Sequence, residues 1–174
     1  MHPITNNEFK KKSKNYPSIQ GRWSYYKFVI DYIVSRNINS CLEIGPGYIS
    51  LFYDSDILDC RNISTRSPKF LWDIDIVPWT IEDKAYDFLI ALHVWEHLKK
   101  PIEAFNEARR ISRGIILALP YKWTRKSKHS PSHWYIDEEK IYTWTGLFPS
   151  ALSLVDFMAG KKKRTTIICI YDIV

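Results

Sequence analysis

Three groups of residues in this chain of 174 have types and spacings that could do chemistry. The first is Glu43-Ile44-Gly45-Pro46-Gly47, which ends the apolar run "CLEI". Gly45 and Gly47 let the backbone turn with no side chain in the way. Their N–H groups, with those opening the next helix, could face an anionic group. Glu43 could accept hydrogen bonds from a cationic or hydroxylated one. A dinucleotide fingerprint needs a third glycine where Ser50 stands, which argues against a nicotinamide enzyme. The second group is His93, Glu96 and His97, with His129 and His133 further on in "HSPSHW". Imidazole changes charge near neutral pH, so His97, His129 and His133 are candidate general bases, as is the Glu96 carboxylate. Two imidazoles and a carboxylate could instead ligate a divalent metal. Plainer roles compete: Glu96 and His97 could tie a loop to the helix that follows, and His133 could simply pack among aromatics. The third group is Asp56, Asp59 and Asp73, in or beside short apolar segments. An acid there either meets a ligand or caps a turn.

These residues must be held by the elements around them. From Trp23 to Arg36, apolar residues at 26, 29, 30 and 33 have helical spacing, and Asn37 is a stop. "NSCLEI" predicts a buried strand, "DILDCRNI" a second, and "KFLWDIDIVPW" a short third followed by a loop. "YDFLIALHV" is apolar without alternation, the pattern of a strand buried on both faces. In "KKPIEAFNEARRIS" Pro101 suits a first helical turn, and residues 102, 105, 108 and 111 form one apolar face. "GIILALP" is a further buried strand, followed by the polar and aromatic insert "YKWTRKSKHSPSHWY". Asp137 caps a helix beginning in "DEEKIYTWTGLF". The end, "ALSLVDFMAGKKKRTTIICIYDIV", reads as a hairpin closed at Gly-Lys. Residues 1–20 read as a polar, loosely ordered arm and 21–174 as one domain. Buried strands alternating with helices predict an α/β fold: a mostly parallel sheet with helices on its faces and a C-terminal antiparallel hairpin. Ligands in such sheets bind at the carboxyl ends of the strands, where strand order reverses.

Composition narrows the class. Apolar residues make up 45% and charged residues 25%, the balance of a globular domain with a real core. Seven Trp and eleven Tyr suit a pocket that stacks a flat ligand as well as a core. No apolar run approaches the ~20 residues of a membrane span. The N-terminus has no apolar stretch after its lysines, so no secretory signal is expected and the cytoplasm is the expected compartment. Three scattered cysteines, Cys41, Cys60 and Cys169, favour structural thiols over a disulfide framework. The net charge of +6 comes from runs at 10–14, 122–129 and 161–164. It eases attraction of an anionic partner, although solvated loop charge explains it equally simply.

From about Asn39 to Pro120 the chain resembles class I S-adenosylmethionine-dependent methyltransferases, in particular the group called type 11. The parts that carry the resemblance, in order, are Glu43-Ile44-Gly45-Pro46-Gly47, Asp87, Glu96-His97, Pro101, Glu107 with Arg110, and Pro120. It implies a single-domain, Rossmann-like three-layer sandwich, with S-adenosyl-L-methionine as cofactor. It gives Glu43, Gly45 and Gly47 to the methionine end of that cofactor. The ribose hydroxyls go to Asp59, with Asp56 as rival. The adenine amine goes to Asp73, its ring to Ile74, and His93 flanks the cofactor. His133 and His97 are then the candidate bases for a hydroxyl acceptor. Small-RNA 2′-O-methyltransferases look similar around His93, Glu96 and His97 but have Glu at the place of His93. With "EH" also present in metal-free relatives, the reading without a metal is preferred.

The expected activity is transfer of a methyl group to a small-molecule or glycan acceptor, through oxygen first, with an anionic substrate suited to "PYKWTRKSKHSPSHW". Two alternatives stand beside it: a catalytically silent, methyltransferase-like binding subunit, and an RNA methyltransferase. Nucleic acid is the weaker partner, because the basic runs are dispersed rather than gathered into a stripe.

Overall fold

The computed structural model describes residues 1–64, 66–123 and 135–173. In chain order the elements are α1 (Asn6–Ser13), α2 (Pro17–Gln20), α3 (Trp23–Ser35), β1 (Cys41–Ile44), β2 (Asp56–Asp59), β3 (Phe70–Leu71), β4 (Tyr86–Leu92), α4 (Pro101–Ile111), β5 (Ser112–Pro120), α5 (Glu138–Thr145), β6 (Ala151–Ala159) and β7 (Lys162–Asp172). The seven strands form one sheet in the order β3-β2-β1-β4-β5-β7-β6. The first five in that order are parallel, and β7 runs antiparallel to both neighbours. No described helix is long and apolar enough to cross a membrane.

The unbroken apolar strands have a simple cause: each side of the sheet carries its own core. In β4, Leu89 and Ala91 join the cluster under α4 and α5, where Ala104, Phe105, Ala108, Ile111 and Ile141 pack. Phe88 and Ile90 point the other way, toward Tyr25, Val29, Ile30 and Ile33 of α3. Strand β7 splits likewise, Ile167 and Cys169 to one side, Ile168 and Ile170 to the other. Side chains alternate along a strand, so burial on both faces demands apolar residues at every position. Helix ends follow local chemistry. Asn37 stops α3 in a left-handed conformation at φ 54°. Asp137 accepts the Lys140 N–H at 3.0 Å to cap α5.

Two expectations need correction. Residues 1–20 are not a loose arm. Thr5 and Glu8 form a capping box on α1, and Phe9 is buried between Trp23 and Tyr26, at ring distances of 5.2 and 5.3 Å. Two apolar anchors, Ile4 and Phe9, in an otherwise polar stretch leave no periodic signal, so the burial could not be read from composition. Nor does a helix open after Gly47. Residues 45–55 pass to β2 as a non-helical loop. The N-terminal segment lies along this loop. Ile4 N–H donates to Leu51 O at 2.9 Å, and Tyr53 N–H to His2 O at 2.8 Å. Tyr16 stacks on Tyr48 at 4.1 Å.

Candidate functional site

A cavity of about 460 Å³ opens at the carboxyl ends of β1 to β4. This is where strand order reverses, between β1 and β4. Asp59, the last residue of β2, lines it. One Asp59 oxygen accepts the Arg61 N–H at 2.9 Å. The other, Oδ2, is buried with no partner among the described residues. A buried carboxylate oxygen without a donor is costly, which makes it a place for a ligand hydroxyl. Asp56 opens β2 at the opposite edge of the sheet. It is already engaged, by Lys69 Nζ and by the Tyr86 hydroxyl, each at 2.6 Å.

The wall past β3 is Trp72, Asp73, Ile74 and Asp75. Asp73 turns the chain by accepting the Asp75 N–H at 3.0 Å. Asp75 accepts the N–H groups of Lys99 and Lys100, both at 2.9 Å, and so fastens this wall to the start of α4. Gly45 lines the cavity too. Its φ of +54° is left-handed, and a Cβ there would lie 3.1 Å from Val94 Cγ2. The backbone here and the segment that follows β4 therefore approach as closely as they do because position 45 has no side chain. Gly47 is also left-handed, at φ +61°, but lies outside the lining, and an added Cβ would meet nothing within 4 Å.

Glu43 stands apart from the cavity. Its carboxylate is buried and filled from within the chain. Oε1 accepts from the Ser50 hydroxyl (2.7 Å), the Ser55 hydroxyl (2.5 Å) and Phe52 N–H (3.1 Å). Oε2 accepts from Leu51 N–H at 2.7 Å. Burial pushes its pKa up, and these four donors pull against that rise. Arg66 joins the same node through the Phe52 carbonyl at 2.6 Å and the Ser55 hydroxyl at 3.1 Å. In this arrangement Glu43 is the strut of the 45–55 loop.

His93 follows β4 in a left-handed conformation, at φ 57°, and reaches the cavity wall. Its Nε2 lies 3.0 Å from Thr166 Oγ1 and its Nδ1 3.4 Å from Glu96 Oε1. Burial pushes the Glu96 carboxyl up, but the His93 imidazole, its own backbone and His97 together hold it below the usual carboxylate value. Glu96 thus orients His93 from behind. His97 ends the short 3₁₀ turn Trp95–His97 and also lines the cavity. His129 and His133 lie outside the described residues. Among the described residues no three or more His, Cys, Asp or Glu side chains are grouped to hold a metal ion.

The fold therefore brings Gly45, Asp59, Asp73, Ile74, His93 and His97 to one cavity. It leaves Glu43 and Gly47 beside it. Sequence reasoning missed Trp72, Asp75, Val94 and Leu98 as lining residues. For Trp72 a signal existed, an aromatic directly after a strand and before Asp73. For the others there was none.

A scan against protein-family models and a search of curated proteins both find no match. Solved structures do match. The N-terminal domain of EvdMO1 with SAH bound aligns with a TM-score of 0.59 at 11% identity, over 99% of each chain. A SAM-dependent methyltransferase from Aquifex aeolicus aligns with 0.55 at 13% identity, over 98% of this chain and all of that one (100%). TehB from Haemophilus influenzae aligns with 0.63 at 14% identity, over 96% of this chain and 67% of that one. The chain has the fold of class I S-adenosylmethionine-dependent methyltransferases. In this methyltransferase fold the antiparallel β7, inserted between β5 and β6, completes the sheet, and the cavity sits on its β1–β4 half.

Proposed function

We propose that the chain is an S-adenosylmethionine-dependent methyltransferase acting on a small-molecule or glycan acceptor, through oxygen. The observation that carries this reading is the buried Oδ2 of Asp59, without a partner among the described residues, in the lining of the 460 Å³ cavity. An acid so placed suits the paired hydroxyls of a ribose. Asp73 and Ile74 would meet the adenine, with Trp72 as a flat wall. The bare backbone at Gly45 would admit the methionine end. When bound, S-adenosylmethionine supplies a methyl group made electrophilic by its sulfonium.

The chain's own work is then to hold, orient and dry the site. Positioning alone can supply about 7–11 kcal/mol of such a barrier. Tyr25, Trp123 and Phe157 pack around His93 at ring distances of 5.3, 5.7 and 6.4 Å and keep water from that side. Thr166 holds His93 at Nε2 and the Glu96 carboxylate faces its Nδ1, so its role is to shape the wall. His97 is our candidate for taking the proton from a hydroxyl acceptor, and His133 remains the second candidate.

Calorimetric titration with S-adenosylhomocysteine tests the reading. Saturable heat and a raised melting temperature are expected; neither appearing would overturn it. Transfer of labelled methyl from S-adenosylmethionine then separates acceptors. Labelled hydroxylated small molecules are expected. Labelled RNA would move the assignment to an RNA methyltransferase, and binding without transfer to either would favour a silent subunit.

A further inference from the structure

A second hollow of about 500 Å³ opens over the start of β7, with Lys122, Lys163 and Arg164 on its walls beside Tyr121 and Trp123. Two of the three cations have carboxylate partners. Lys163 Nζ lies 2.7 Å from Asp156 Oδ2, whose other oxygen takes the Thr165 hydroxyl at 2.7 Å. Lys122 Nζ lies 3.9 Å from Glu138 Oε2. Arg164 has no carboxylate partner among the described residues. Its guanidinium instead lies over the Trp123 ring, 4.5 Å from the centroid. Among the described residues here, three cations face two carboxylates, and the positive charge without a carboxylate sits on Arg164. A guanidinium stacked on an indole keeps its donor edge available for a planar or tetrahedral oxyanion.

The position of this charge ties it to the first cavity. The Trp123 indole N–H donates to Thr165 O at 2.9 Å, which fixes the ring. The same ring lies 5.7 Å from His93. Arg164 is paired across the hairpin with Phe157, which packs against both His93 and Trp123. Thr166, two residues along β7 and on the same side, touches His93 Nε2 at 3.0 Å. Two steps of an antiparallel strand span about 7 Å. The Arg164 guanidinium is thus linked to His93, on the wall of the cofactor cavity, through the single ring of Trp123. A hollow of this size has room for a small-molecule ligand.

We propose that Arg164, stacked on Trp123, is the anchor of the acceptor site, and that the methyl acceptor is a small molecule carrying a carboxylate or phosphate group. This rests on the methyltransferase reading above. The test follows the Trp123 indole N–H resonance, assigned with Trp123→Phe, during titration with inorganic phosphate and separately with benzoate. Chloride at matched ionic strength is the control. A saturable shift with at least one of the two anions is expected, and the stronger of the two names the acceptor's anionic group. Arg164→Gln should weaken that binding about tenfold or more, and Arg164→Lys by less, since charge is kept but the fork is lost. Both variants should bind S-adenosylhomocysteine as the parent does, which shows that they fold. If neither anion exceeds chloride, or if Arg164→Gln leaves the titrations unchanged, the anchor is refuted. Loss of S-adenosylhomocysteine binding in the parent protein is a different failure: it removes the methyltransferase reading, while the anion titrations still judge the site.

Discussion

Replacing Glu43 with Gln separates a strut from a ligand contact. Gln matches Glu in shape, so the change is one of hydrogen-bond chemistry alone. In its better orientation the amide oxygen keeps the three donors now on Oε1, from Ser50, Ser55 and Phe52. The amide NH₂ then faces Leu51 N–H, a donor against a donor, in place of the 2.7 Å bond. Two buried donors are left unsatisfied, each costing about 1–3 kcal/mol. The loss is thus about 2–6 kcal/mol, and the three surviving bonds weaken as the charge goes. For a domain of this size even about 2 kcal/mol lowers the melting temperature by about 4–8 °C. Thermal unfolding should show that fall, while calorimetry well below the transition should find S-adenosylhomocysteine affinity within about tenfold of the parent, or about 1.4 kcal/mol. An unchanged melting temperature together with a greater loss of affinity would refute the reasoning, because the carboxylate would then be touching the cofactor itself.

Other changes probe the cavity and its frame. Asp59→Asn should raise the dissociation constant for S-adenosylhomocysteine about 10- to 150-fold, the worth of hydrogen bonds to a charged acceptor, with little change in melting temperature. Equal affinity in a calorimetric comparison would remove Asp59 from the ribose site. Gly45→Ala should cost about 1–2 kcal/mol in the left-handed backbone and more from the 3.1 Å approach to Val94, whereas Gly47→Ala should cost the backbone term alone. Denaturant unfolding of both variants checks that order, and the reverse order contradicts it. Glu107 is held below its ordinary value of 4.5 mainly by hydrogen bonding to Arg110. A lowered carboxyl adds stability that is complete above that ordinary value and is lost as pH falls through the depressed one. Glu107→Gln should therefore cost about 1.5–3 kcal/mol at pH 7, and the melting-temperature gap from the parent should shrink below about pH 4.5. A gap that widens on acidification contradicts the pairing.

Local chemistry was legible in the residues themselves. The helix over 23–36 with its Asn37 stop, the Asp137 cap and the terminal hairpin all follow from short-range preferences, and the structure has them. The doubly buried strands were equally plain, because a strand with a core on each side must be apolar throughout. Glu107 and Arg110, read as part of a family pattern, turn out to brace the frame, gathering Trp79, Ile81 and Asp83.

What only the tertiary structure decided are the contacts between residues far apart in the chain. By sequence Asp59 was preferred for the ribose and Asp56 stood as its rival; three residues of strand put them at opposite edges of the sheet, one tied to Lys69 and Tyr86, the other facing the cavity. Glu43 looked like a ligand for something outside the protein, but the chain folds its own serines and amides onto it first. Phe9 adjoins, and Arg164 ends, a run of lysines that reads as solvated charge. One is buried by α3, and the other is set on Trp123 by a strand pairing across the hairpin. Charge and periodicity describe a residue's own preferences; its partners are chosen when distant segments pack, and that choice leaves no local mark.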